Sequence, residues 1–141
     1  MMEEGWKFLH VGLIVADTLK TLEFYKSLGF EVMREPYQTP AKSADNPRTS
    51  LISFVRKGDV VMEIIQPLEG SFVNKDFLAA SGGGINHMAF EVKDLALERA
   101  KMEAAGYPVV YGGLPGGFFA YFDTRSASGN LIIELIQPEL R

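Results

Sequence analysis

The chain has 141 residues, a formal net charge of −4 and no cysteine. That length is about one domain, able to bury roughly two-thirds of its unfolded surface. The mild charge carries no polybasic footprint for nucleic acid, disulfides and thiolate metal sites are excluded, and no apolar run is long enough to span a membrane. The acidic start, Glu3-Glu4, does not read as a signal peptide, so the expectation is a cytoplasmic protein.

In chain order, Phe8 to Val15 is an apolar run suited to a strand buried on both faces. Asp17 reads as a helix N-cap. Leu19, Leu22, Phe24, Tyr25 and Leu28 then recur at helical spacing, and Gly29 is a natural stop. Phe30 to Met33 reads as a short strand. Pro36 to Pro47, with three prolines, reads as a loop, and loops of that length are often functional. Leu51 to Val55 and Val60 to Ile65 are strands joined by a hairpin turn over Arg56 to Asp59, and Pro67 ends the pair. A short helix, Val73 to Ala80, is expected in the linker, followed by Gly82-Gly83-Gly84, read as a flexible hinge. This triple glycine is no phosphate loop, because no Lys-Ser/Thr follows it and a strand comes next.

The order then repeats. Ile85 to Val92 is a strand, Asp94 a cap, Leu95 to Ala105 a helix and Gly106 its stop. Pro108 to Tyr111, Phe118 to Phe122 and Leu131 to Ile136 are strands, with a turn around Ser128-Gly129-Asn130. The expected organisation is a single domain over 1–141. Its first βαβββ module is 8–67, its linker 68–84 and its second module 85–138.

The repeat carries chemistry. His10 opens His-Val-Gly-Leu-Ile-Val-Ala-Asp, and His87 opens His-Met-Ala-Phe-Glu-Val-Lys-Asp. Met62-Glu63-Ile64-Ile65-Gln66-Pro67 matches Ile133-Glu134-Leu135-Ile136-Gln137-Pro138. Both of the chain's histidines therefore fall at equivalent positions, and each module ends on a Glu inside an apolar strand. Any one of these four, taken alone, is more readily a structural or solvent-facing residue. The joint pattern favours a metal site, because glutamate is almost never fully buried unless paired or bound. Imidazole and carboxylate donors suit Zn, Co, Ni, Fe or Mn. Four protein ligands on a six-coordinate ion leave two positions for water or substrate, and such an ion acts as a Lewis acid on a carbonyl oxygen. Phe118, Phe119, Tyr121 and Phe122 are candidates to line the site, although an aromatic run in a strand is more often core.

On these residues, from about Phe8 to Pro138, the chain resembles the vicinal oxygen chelate (glyoxalase/bleomycin-resistance/dioxygenase) superfamily. The resemblance implies an α+β fold, in which two repeated βαβββ modules form a cup-shaped mixed or antiparallel sheet around a metal held by His10, Glu63, His87 and Glu134. Within the superfamily, Phe77 to Val92 looks like the linker and fifth strand of methylmalonyl-CoA epimerase, with Asn86-His87 where epimerases usually carry His-His. The filled position at Glu63 tilts the resemblance toward an isomerase or lyase. Epimerases also keep a proton-moving carboxylate before the third strand. Here Asp45 falls nearest that place, with Glu35 further off, and the plainer reading of Asp45 is a solvated loop residue. Glutathione-dependent glyoxalases place an Arg on the first strand. Leu13-Ile14-Val15 offers none, and Arg48 or Arg125 would have to stand in.

The implied activity is proton transfer next to a metal-bound carbonyl, of the epimerase or lactoylglutathione lyase kind, with Glu134, Glu63 or Asp45 as the acid–base group. The implied substrate is an acyl-CoA or a thiol adduct, and the implied assembly a homodimer, its cup formed within a chain or across two. Two alternatives belong to other classes: an Fe(II) extradiol-type dioxygenase using His10, His87 and Glu134, and a non-catalytic small-molecule-binding protein.

Overall fold

The computed structural model describes residues 5–41 and 43–141. Among them are β1 (Lys7–Ile14), α1 (Thr18–Ser27), β2 (Glu31–Gln38), β3 (Ser50–Lys57), β4 (Val60–Pro67) and α2 (Val73–Ser81). The chain continues through β5 (Gly84–Glu91), α3 (Leu95–Ala104), β6 (Val109–Gly112), β7 (Phe119–Phe122), α4 (Arg125–Ser128) and β8 (Ile132–Ile136). The fold is α+β, and among the described residues no helix is long and apolar enough to cross a membrane. Two compact units are present, His10–Asn86 and Met1–Leu9 with His87–Arg141.

In the His10–Asn86 unit the strand order is β2-β3-β4-β1. The β1–β4 pair is parallel, with Gly12 opposite Glu63 and Ile14 opposite Ile65, while β2–β3 and β3–β4 are antiparallel. One face of this sheet buries Val55, Met62 and Ile64 against Leu22 of α1. The other joins Ile14, Ile52 and Ile65 with Phe77 and Leu78 of α2.

The second unit repeats the plan with order β5-β8-β7-β6. Here β5 and β8 are parallel, with Ala89 opposite Glu134, and β7–β8 and β6–β7 are antiparallel. Leu95 and Met102 of α3 pack on Val92, Ala120, Phe122 and Leu135.

Local chemistry sets the helix ends. Asp17 and Asp94 cap α1 and α3, accepting from the Lys20 and Leu97 amides at 3.0 and 3.1 Å. Gly29 and Gly106, at φ +88° and +95°, end them. A second cap comes from a distance. Gln66 accepts from the Thr18 amide at 3.0 Å, and Gln137 from the Leu95 amide at 2.9 Å. These equivalent glutamines therefore tie the end of each module's last strand to the first turn of its helix.

Two expectations are corrected, and one position gains a reason the sequence does not show. β2 runs on to Gln38, through Pro36 and into the expected loop. It is an edge strand, and register shifts flank Arg34 on both sides, so the missing Pro36 N–H breaks no central ladder. The turn before β8 contains the short helix α4, closed by left-handed Gly129 and by Asn130 at φ +68°. Within the triple glycine, Gly83 has a steric reason of its own, and the space for a glycine there is not read from the sequence. A Cβ on Gly83, at φ +113°, would lie 2.7 Å from the Ile14 carbonyl oxygen.

Replacing Gln66 or Gln137 by Ala is expected to cost about 1 kcal/mol each, read as a lower urea midpoint at constant slope; unchanged midpoints in both would assign the capping to solvent. Gly83→Ala is expected to cost about 2 kcal/mol or more, because a strained backbone and a backbone clash combine. Gly82→Asn, with open space where its Cβ would lie, is expected to cost about 1 kcal/mol or less.

Candidate metal centre

The parallel strand pair of each unit sets an imidazole beside a carboxylate. In the first unit, His10 on β1 and Glu63 on β4 approach to 3.1 Å, Nε2 to Oε1. In the second, His87 on β5 and Glu134 on β8 approach to 3.3 Å through the same atoms. His10, His87 and Glu134 are buried, and the Glu63 side chain keeps 13% exposure. The repeated residues of the sequence thus become repeated pairs at matching register.

Each histidine also rests on an aromatic ring. His10 meets Phe54 with centroids 5.5 Å apart, and His87 meets Tyr121 at 4.7 Å. Phe54 lies opposite Glu63, and Tyr121 opposite Glu134, so each ring shares a sheet face with its carboxylate. Of the aromatic run on β7, Tyr121 faces the pair, and Phe122 faces the core beneath α3. Phe54 was not picked out from the sequence, where it reads as one more apolar residue of β3. Its place two residues from Ile52 on an alternating strand is the available signal.

The remaining candidates lie elsewhere. Asp45 is exposed, in the turn bridged by Ser43 and Asn46, and Glu35 is exposed on β2. Asn86, where epimerases usually carry a second histidine, donates to Asn74 of α2 at 2.8 Å, and both side chains are buried. Arg48 donates to the Ser71 carbonyl at 3.0 Å. Arg125 holds Asp123 through two hydrogen bonds of 2.8 and 3.0 Å, and these keep the Asp123 carboxyl below its ordinary value. Both guanidinium groups thus have structural work in place.

The donor chemistry fits a divalent ion. Imidazole nitrogen and carboxylate oxygen are the ligands that borderline first-row ions and zinc take. A buried carboxylate needs a charged or hydrogen-bonding partner to offset its desolvation, and an ion supplies one.

Comparison with known proteins agrees with this architecture. A family model for the Glyoxalase/Bleomycin resistance protein/Dioxygenase superfamily matches residues 9–123. The chain belongs to that superfamily. No curated protein matches it significantly in sequence. Among solved structures, a hypothetical protein from Bacillus halodurans C-125 is 19% identical, with a TM-score of 0.70 over 95% of each chain. Methylmalonyl-CoA epimerase from Mycobacterium tuberculosis is 23% identical, with a TM-score of 0.68 over 97% of this chain and 92% of its own. A variant of the Streptomyces coelicolor epimerase in complex with 2-nitronate-propionyl-CoA is 22% identical, with a TM-score of 0.66 over 93% of each chain. At these identities the likeness establishes a shared fold within the superfamily.

Proposed function

We propose that the chain is a divalent-metal-dependent enzyme that moves a proton at a carbon next to a carbonyl. The specific reading is an isomerase of the methylmalonyl-CoA epimerase kind acting on an acyl-CoA. A glyoxalase I-like lyase acting on a thiol adduct is the neighbouring chemistry. The observation that carries the proposal is the imidazole–carboxylate pair repeated at matching register in both units. In this reading His10, Glu63, His87 and Glu134 together hold one ion, Co, Ni, Zn, Mn or Fe, inside a cup formed by two modules of one domain. A cytoplasmic homodimer belongs to the same proposal, two-fold dimers being the commonest soluble assembly.

When bound, the ion supplies Lewis-acid stabilisation of the negative charge that develops on the carbonyl oxygen. The chain's own residues move the proton. A carboxylate, Glu134 or Glu63, takes the α-proton and becomes a carboxylic acid, while the electron pair of the broken C–H bond passes into the enolate. A carboxylic acid then returns a proton to either face of the same carbon, so the step is balanced without a co-reactant. Phe54 and Tyr121 fix the imidazole planes by ring packing. Asp45 is the third acid–base candidate, carried by the exposed turn before β3.

Two measurements test this. His10→Ala and His87→Ala are each expected to bring metal content well below one ion per chain by elemental analysis; full occupancy in both would sink the ligand assignment. Chelation of the wild-type protein is expected to lower the melting temperature by about 5–10 °C, the scale for a ligand present at roughly a hundredfold its Kd.

The activity is read as solvent deuterium entering C2 of (2R)- and (2S)-methylmalonyl-CoA. Co(II)-loaded protein is expected to exchange and interconvert the epimers, and metal-stripped protein is not. Glu134→Gln or Glu63→Gln, whichever removes the base, is expected to slow exchange about 10²–10⁴-fold at matched metal content, with Asp45→Ala nearly silent. Loss of exchange in Asp45→Ala alone would move the base to the turn. No exchange by protein holding stoichiometric metal would remove this substrate and bring α-ketoaldehyde–thiol adducts forward.

A further inference from the structure

The strand register of the His10–Asn86 unit places a charged residue in the same row as the carboxylate of the pair. Glu63 on β4 faces Phe54 on β3, and Phe54 faces Arg34 on β2. Directly opposed residues on antiparallel strands share a face, so Arg34 stands on the face that carries Glu63 and His10. Two strand spacings separate Arg34 from Glu63 along this row, about 10 Å between backbones.

Arg34 is exposed, and its guanidinium carbon sits 3.5 Å over the centre of the Tyr37 ring. It pairs with no carboxylate among the described residues, whereas Arg56 on the neighbouring strand pairs with Glu31 at 3.3 Å. Its backbone is pinned. The Arg34 carbonyl accepts from the fully buried Ser53 hydroxyl at 2.8 Å, between the two register shifts of β2. A guanidinium held over the face of an aromatic ring keeps donors free while losing less freedom on binding, which suits two-point recognition of an oxyanion.

The other unit marks the contrast. There the matching row is Glu134, Tyr121 and Tyr111. Tyr111 is engaged with rings, edge-on to Phe119 at 5.5 Å and to Tyr121 at 5.1 Å. At this register one unit offers an aromatic side chain and the other a stacked cation.

We propose that Arg34, positioned by Tyr37, anchors a carboxylate or phosphate of the substrate about 5–10 Å from the group that meets His10 and Glu63. Arg34 is then a specificity-determining residue that selects substrates with a remote oxyanion. The inference rests on the proposed metal-centred reading for the near end of the ligand, and Arg34 itself can be tested without metal.

The probes are adipate monohydroxamate, its phosphonate counterpart and hexanohydroxamate, which share one chelating end and differ at the other. Calorimetry with Co(II)-loaded protein is expected to show the anionic probes binding about tenfold or more tightly than hexanohydroxamate. Arg34→Gln should collapse that ratio to about one and leave hexanohydroxamate unchanged, and Arg34→Lys should keep part of it. The anionic probe that gains more identifies the anion as carboxylate or phosphate. A ratio preserved in Arg34→Gln overturns the inference. In a metal-free arm, adipate and inorganic phosphate are titrated into stripped protein by NMR. Weaker binding of at least one anion to Arg34→Gln, with the melting temperature unchanged, is expected; equal binding of both overturns the inference whatever the first arm gives. Failure of hexanohydroxamate to bind Co(II)-loaded protein counts against the metal centre, and the metal-free arm then decides Arg34 by itself.

Discussion

In each unit a strand from the start of the module lies parallel to the strand from its end, and that pairing sets an imidazole beside a carboxylate. Parallel neighbours cannot be joined by a tight hairpin. The chain must leave the first strand, cross the sheet and lay down two more strands before it returns. Helix α1 or α3 makes the crossing and covers the face opposite the His–Glu pair. The remaining antiparallel strands then widen the pair's own face, bringing Phe54 and Tyr121 to it.

Burial gives this pairing its chemical weight. A carboxylate on the open face of a sheet is solvated and of little consequence. The same group next to a buried imidazole, with an aromatic ring on the same face, has lost most of its water and must be compensated. The family to which the chain belongs includes enzymes by its own description. The duplicated donor pairs are the feature of this chain from which the proposed chemistry is argued.

What could be read from sequence was what local rules decide. Asp17 and Asp94 cap helices because a short acceptor before an amphipathic run does so almost anywhere, and Gly29 and Gly106 stop them for an equally local reason. The His and Glu positions were legible because duplication printed them twice. Features set by tertiary context were not. Pro36 argued for a loop, and it sits in a strand because that strand is at an edge. Simple alternation from Val32 would put Arg34 on the helix-covered face. The register shift between them turns Arg34 to the other side, and no sequence pattern announces it. The glutamines were visible as a repeat, but their partners lie 48 and 42 residues away, so their role as caps was not.

Those glutamines also determine where the gene can tolerate change. Gln66 lies three positions after Glu63 on β4, and Gln137 lies three positions after Glu134, one residue past the end of β8, so the members of each couple serve opposite sides of the sheet. One side of the strand carries the carboxylate of the His–Glu pair, and the other holds the helix that closes the module. A single codon gained or lost between the members would turn one of them to the wrong face. Point substitutions can drift through Ile64, Ile65, Leu135 and Ile136 as long as volume is kept. Insertions and deletions cannot, and length variation among descendants of this chain is therefore confined to the turns.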